Sequence, residues 1–204
     1  MTQAVDSSGE DERRHVALYG GSFNPPHIGH LVVSSYVLAT QPVECIWLMP
    51  CFQHAFAKTL EPFEKRMEMA RRMSQGVILR GRAYVTDVEA QLGGESRTID
   101  TVKHLRARHP DTAFDLVLGT DIFMDRHAWK GFDELETLCR FIVLGRRGFD
   151  APDNHVASPP LIDVSSTQVR ELLKDRNAGQ NAAVLATLVP AAVLSYIEEE
   201  GLFE

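Results

Sequence analysis

Along the chain, apolar residues gather in short runs set between polar stretches that carry glycine and proline. His15–Tyr19, Val43–Pro50, Phe114–Leu118 and Arg140–Gly145 are nearly continuous apolar runs, the pattern of parallel strands covered on both faces. Ala83–Glu89 and the short Leu161–Val164 read as two further strands. Between these runs the apolar spacing becomes helical. Leu31, Val32, Val33, Tyr36, Val37 and Leu38 predict a helix over Gly29–Thr40, ended by Pro42. Pro62 suits the first turn of a helix reaching Ser74. Ile99, Val102 and Leu105 predict a helix over Thr98–His109 that stops at Pro110. Gly93 and Gly94 mark a turn, Gly119–Leu138 reads as loop and short helices, and Arg146–Pro160 is a polar, proline-bearing loop. Ser165 and Ser166 can cap a helix through Val169–Lys174, broken at Asn177–Gln180. A last helix is expected over Pro190–Glu200, with Gly201 as its stop.

Strand and helix therefore alternate. That order predicts an α/β fold, a doubly wound parallel sheet with right-handed crossovers, followed by a small C-terminal helical part. Ligands in such sheets bind beyond the carboxyl ends of the strands, where the strand order reverses. Met1–Arg14 has almost no apolar content and reads as a frayed leader without a role in chemistry, leaving 15–204 as a single domain.

Composition narrows the function classes. The 204 residues are 44% hydrophobic and 24% charged, values of an ordinary globular chain. A formal net charge of −7 argues against general nucleic-acid binding. The three cysteines, Cys45, Cys51 and Cys139, lack metal-type spacing and read as reduced thiols of a cytoplasmic protein. No run of apolar residues is long enough to predict a membrane span.

Two stretches carry candidate chemistry. In Tyr19–Leu31, YGGSFNPPHIGHL, the order reads as strand, glycine turn, histidine pair, helix. Gly20 and Gly21 let backbone approach a ligand closely. The helix start offers unpaired N–H groups and a positive dipole end that suit phosphate. With His27 just before the helix and His30 in its first turn, both imidazoles can face one anion. In the second stretch, Val164–Arg170, the hydroxyls of Ser165, Ser166 and Thr167 precede a helix bearing Arg170. One of them suffices for an N-cap; together with Arg170 they also make a polyphosphate cradle.

The first stretch resembles the signature of the nucleotidyltransferase superfamily, His-x-Gly-His, standing here as His27-Ile28-Gly29-His30. In its longer form it is similar to GG-[ST]-F-[DN]-P-x-H-x-[GA]-H of bacterial nicotinate-nucleotide adenylyltransferases. The second resembles that family's [IV]-S-S-T-x-[IV]-R. Further likenesses run through Arg97-Thr98, Leu118–Asp121, Ala128-Trp129 and the closing AAVLSYIEEEGLF. The resemblance implies a Rossmann-like nucleotidyltransferase that adenylylates nicotinate mononucleotide with ATP. By the same resemblance Gly20, Gly21, Ser22, Phe23, His27, His30, Ser165, Ser166, Thr167 and Arg170 bind ATP, with His27, His30 and Arg170 catalytic. Thr98, Asp121 and Trp129 would hold the acceptor, Thr98 at the nicotinate carboxyl and Trp129 against the pyridine ring. Arg97 stands where the family usually has tyrosine, and Lys130 replaces a common aromatic. His54 and Lys58 stand, differently spaced, where the family has a P-P-H-K loop; they and Arg97 are further acceptor candidates. Mg2+ travelling with ATP is the implied cofactor, with no protein ligand named, and homo-oligomerisation stays open. Nicotinamide mononucleotide, another phosphate acceptor, or a nucleotide-binding regulator without catalysis are the alternatives. A class I aminoacyl-tRNA synthetase fragment shares HIGH, but the chain carries no KMSKS-like loop.

Overall fold

The computed structural model describes residues 13–53, 60–95, 97–150, 152, 155, 157–176 and 180–203. At its centre lies a sheet of five parallel strands: β1 (Arg14–Gly21), β2 (Cys45–Pro50), β3 (Ala83–Val85), β4 (Thr112–Gly119) and β5 (Arg140–Leu144). Their order is β3-β2-β1-β4-β5. The chain steps outward from β1 to β3, then returns to the other side of β1 for β4 and β5. The reversal lies between β1 and β4, and their carboxyl ends open a crevice there.

Side-chain alternation along the strands builds two layers. Val16, Leu18, Cys45, Met49, Phe114, Leu116 and Leu118 pack with α3 (Val88–Leu92), α4 (Thr98–Arg108) and α5 (Phe132–Leu138). Ala17, Ile46, Leu48 and Val117 pack on the opposite side. That second layer holds α1 (Ile28–Thr40), α2 (Phe63–Ser74), α6 (Ser166–Lys174), α7 (Asn181–Leu188) and α8 (Ala191–Glu199). Burial on both faces explains why the strands read as continuous apolar runs. Asp115 is the exception in β4: fully buried, it sits 3.0 Å from His15 Nδ1 and accepts from Arg140 Nη2 at 2.7 Å.

Several expectations change. β1 begins at Arg14, inside the expected leader, whose residues 1–12 lie outside the described residues. Gly20 and Gly21 are not a turn; they end the β1 ladder opposite Met49 and Pro50. The expected strand Ala83–Glu89 stops at Val85, because Thr86 Oγ1 accepts the Val88 N–H and starts α3. Leu161–Val164 forms no strand; among the described residues of the preceding loop, Ala157 makes an isolated bridge to Val143. Helix α7 was not expected, since NAAVLATL lacks a clear apolar stripe.

Candidate active site

The crevice begins where β1 runs out. Cys51 N–H donates to Gly21 O at 2.9 Å, holding the strand ends together. Ser22 follows, and then Phe23 at φ +47, a left-handed conformation costly for a bulky residue. Complete burial and its ring against His30, centroids 4.8 Å apart, hold Phe23 there. The turn through Asn24, Pro25 and Pro26 delivers His27 as the N-cap of α1, and the helix starts as expected.

The two histidines are fixed by the helix start itself. Gly29 N–H donates to His27 Nδ1 at 3.1 Å, and His27 N–H donates to His30 Nδ1 at 3.2 Å. Both Nδ1 atoms are thus acceptors, which leaves the ring proton of each neutral imidazole on Nε2. The rings lie 4.0 Å apart by centroid. Gly29 is fitted to this arrangement: a Cβ there would sit 2.8 Å from His27 Cε1. Burial, with the positive charge of Arg146, lowers His27 to about 4. Burial, then His27 and Arg146, drives His30 well below the usual histidine range. Both are neutral at pH 7, so the positive charges beside this corner belong to arginines.

Arg170 supplies one. Ser165 caps α6 by accepting the Gln168 N–H at 3.2 Å, so this hydroxyl does what any N-cap would do. Ser166 Oγ donates to Pro25 O at 3.0 Å, and Arg170 Nη1 donates to Asn24 O at 2.7 Å. Arg170 Nη2 also donates to Thr167 Oγ1 at 3.1 Å. The N-termini of α1 and α6 are therefore stitched together through one turn, and the two sequence stretches form a single anion-attracting corner.

Arg146 supplies another, from the start of what the sequence shows only as a polar loop. Its backbone N–H donates to Thr120 Oγ1 at 2.9 Å, which ties the end of β5 to the end of β4. With Tyr19, Gly119, Leu161 and Ile162 it lines a cleft over the ends of β1, β4 and β5. Ile162 lies beside the first turn of α1, where a Gly29 Cβ would meet its Cγ2 at 3.6 Å. Burial pushes the Tyr19 hydroxyl up to about 12.

The acceptor candidates are spread more widely. Asp121, in a 3-10 turn after β4 (Thr120–Phe123), has a buried Oδ1 with no hydrogen bond and Arg146 Nε 3.8 Å away. A Cβ on Gly119 would fall 2.2 Å from that oxygen. Half-buried Thr98 is the first residue of α4, and half-buried Trp129 packs edge-on to Phe132 at 6.2 Å. Exposed Arg97 turns to Glu95, 2.7 Å away, and exposed Lys130 stands 4.0 Å from Asp100. His54 and Lys58 lie outside the described residues. Among the described residues no group of three or more His, Cys, Asp or Glu could hold a metal ion, and no helix is long and apolar enough to cross a membrane.

The cytidylyltransferase-like family model matches residues 18–172, a span that takes in both stretches of the corner up to Arg170. The chain is 44% identical over 188 residues to a probable nicotinate-nucleotide adenylyltransferase of Myxococcus xanthus, covering 92% of this chain and 94% of that one. It is 42% identical over 193 residues to a protein of the same description from Anaeromyxobacter dehalogenans, covering 93% and 97%. Among solved structures, a Plasmodium falciparum nicotinic acid mononucleotide adenylyltransferase complexed with NaAD superposes with a TM-score of 0.81. It is 22% identical and covers 93% of this chain and 97% of that one, a likeness of fold.

Proposed function

The chain belongs to the cytidylyltransferase-like family, and we infer that it transfers the adenylyl group of ATP to nicotinate mononucleotide, giving deamido-NAD and pyrophosphate. It is a nucleotidyltransferase of NAD biosynthesis. In this reading the chain from Arg14 onward is one catalytic domain, working in the cytoplasm.

The 5′-phosphate of the mononucleotide is the nucleophile. It is largely ionised at neutral pH and needs no protein base. Its oxygen bonds to the α-phosphorus of ATP as the bond from that phosphorus to the bridging oxygen of the β-phosphate breaks. The electron pair leaves with pyrophosphate. The protein must hold the two anions in line and stabilise charge on the leaving group. His27 and His30 are assigned Nε2–H bonds to ATP phosphates. Gly20 and Gly21 leave room for backbone to approach, with Ser22 and Phe23 N–H groups as donors. The Ser165 and Thr167 hydroxyls, the Ser166 N–H and Arg170 hold the departing pyrophosphate. Arg146 adds positive charge over the cleft. Thr98, Asp121 and Trp129 receive the acceptor, with Arg97, His54 and Lys58 at its margin. Mg2+ enters as part of the ATP substrate, bound through phosphate oxygens and water as that ion prefers.

The observation that carries this reading is the join between the two helix starts, Arg170 and Ser166 bonded to the Asn24 and Pro25 carbonyls. Incubation with ATP and nicotinate mononucleotide, resolved by chromatography, should give deamido-NAD and an equal amount of pyrophosphate. Release of inorganic phosphate without the dinucleotide would overturn it.

A further inference from the structure

Three consecutive residues at the end of β4, Gly119, Thr120 and Asp121, each meet a different part of Arg146. The backbone ladder between β4 and β5 ends where Gly119 stands opposite Leu144. One step further Thr120 takes over with its side chain, Oγ1 accepting the Arg146 N–H at 2.9 Å. The preceding N–H, of Gly145, also goes to a hydroxyl, Ser158 Oγ at 3.0 Å. The stem of Arg146 then crosses Gly119, where a Cβ would lie 3.2 Å from Cγ and 3.3 Å from Nε. Nε itself stands 3.8 Å from Asp121 Oδ1.

Thr120 is 1% exposed. Burying a hydroxyl there costs desolvation free energy that a valine of the same shape would not. The ladders of β4 with β1 and β5 are complete before Thr120 is reached. What its hydroxyl adds is a fixed starting point for the Arg146 side chain. That side chain is 44% exposed and lines the cleft with Tyr19. Its positive charge is felt by both histidines of the ATP corner, where it joins burial in keeping them neutral. A long side chain loses much conformational freedom when it meets a ligand, and anchoring its backbone and stem beforehand lowers that cost.

We propose that Thr120 is a positioning residue for ATP: its hydroxyl holds the backbone of Arg146 so that the guanidinium stands over the cleft beside the histidine corner. This rests on the adenylyl-transfer reading and adds to it a residue that acts on the nucleotide through Arg146.

The test is a double-mutant cycle on ATP binding, measured by calorimetry, with Thr120→Val, Arg146→Gln and the pair. Valine keeps the shape of threonine and removes the acceptor. Thr120→Val should raise the ATP Kd about fivefold and Arg146→Gln about tenfold, whereas adding Thr120→Val to Arg146→Gln should change it by less than about twofold. Thr120→Ser, which keeps the acceptor, should bind ATP within about twofold of wild type. Equal factors for Thr120→Val in both backgrounds would assign the hydroxyl to the fold and overturn the proposal. An unchanged Kd in Thr120→Val, or a loss in Thr120→Ser as large as in Thr120→Val, would overturn it too. Should Thr120→Val not fold, Thr120→Ala takes its place in the cycle under the same criteria. Deamido-NAD formation by wild type tests the underlying reading separately: ATP binding without that product removes the reading and leaves the cycle to decide on Thr120.

Discussion

Arg170 Nη1 lies 2.7 Å from the backbone oxygen of Asn24, although the two residues are 146 positions apart. Through this bond the start of α6 is held against the turn that feeds α1. The guanidinium keeps further donors on Nη2 and Nε, so it can brace the turn and still meet a phosphate. Arg170→Ala should lower kcat/KM for ATP about 100-fold or more, in the range of removing one charge-stabilising donor. Arg170→Lys should recover only part, since an ammonium cannot serve both partners. Steady-state kinetics with ATP varied checks this; an alanine variant within a few-fold of wild type contradicts it.

His30 gives a contrasting expectation. Its ring is buried against Phe23 and its Nδ1 is taken by the His27 N–H, so only Nε2–H is left for the nucleotide. His30→Ala should reduce kcat about 100-fold or more and lower the melting temperature through the cavity it leaves. Single-turnover rates with saturating ATP separate the two effects. Near-normal turnover would remove the phosphate role.

The depressed histidines also predict a pH dependence of stability. An unfolded histidine takes up its proton near 6.5, whereas folded His27 does so at about 4. Between these values the unfolded chain holds more protons, so stability is lost as pH falls through the window. His30, shifted the same way, adds to the effect. From pH 7 to pH 5 His27 alone should cost about 2 kcal/mol of unfolding free energy. His27→Asn, which can still cap the helix, should flatten that part of the profile in urea titrations. An unchanged slope would contradict the burial account.

Trp129 is the acceptor-side counterpart. It is half-buried beside Phe132, with a ring wide enough to serve as a platform for a pyridine. Trp129→Ala should raise the mononucleotide KM about tenfold with a smaller effect on ATP. Equal effects on both substrates would remove the assignment.

Much of this could be read from residues alone, for physical reasons that also mark where reading stopped. β1, β2, β4 and β5 are apolar on both faces, and such runs have few alternatives. The N-caps His27 and Ser165 were legible because a cap depends on neighbours in sequence. Val88 and Glu89 misled because a period of two and a short helix look alike over so few residues. Leu161–Val164 has strand-like residues but finds no pairing edge, which only tertiary placement decides. Arg146 was missed because a basic residue is ordinarily solvated, and its partner side chains, Thr120 and Asp121, stand far back along the chain, Thr120 26 positions away, invisible to any motif.

The most direct measurement is pyrophosphate release from ATP across a panel of acceptors: nicotinate mononucleotide, nicotinamide mononucleotide and pantetheine phosphate. The account predicts release with nicotinate mononucleotide at a kcat/KM at least about tenfold above any other acceptor, the scale of one polar contact at a ring carboxyl. Tight ATP binding without release on any acceptor, or equal rates on all three, would contradict it.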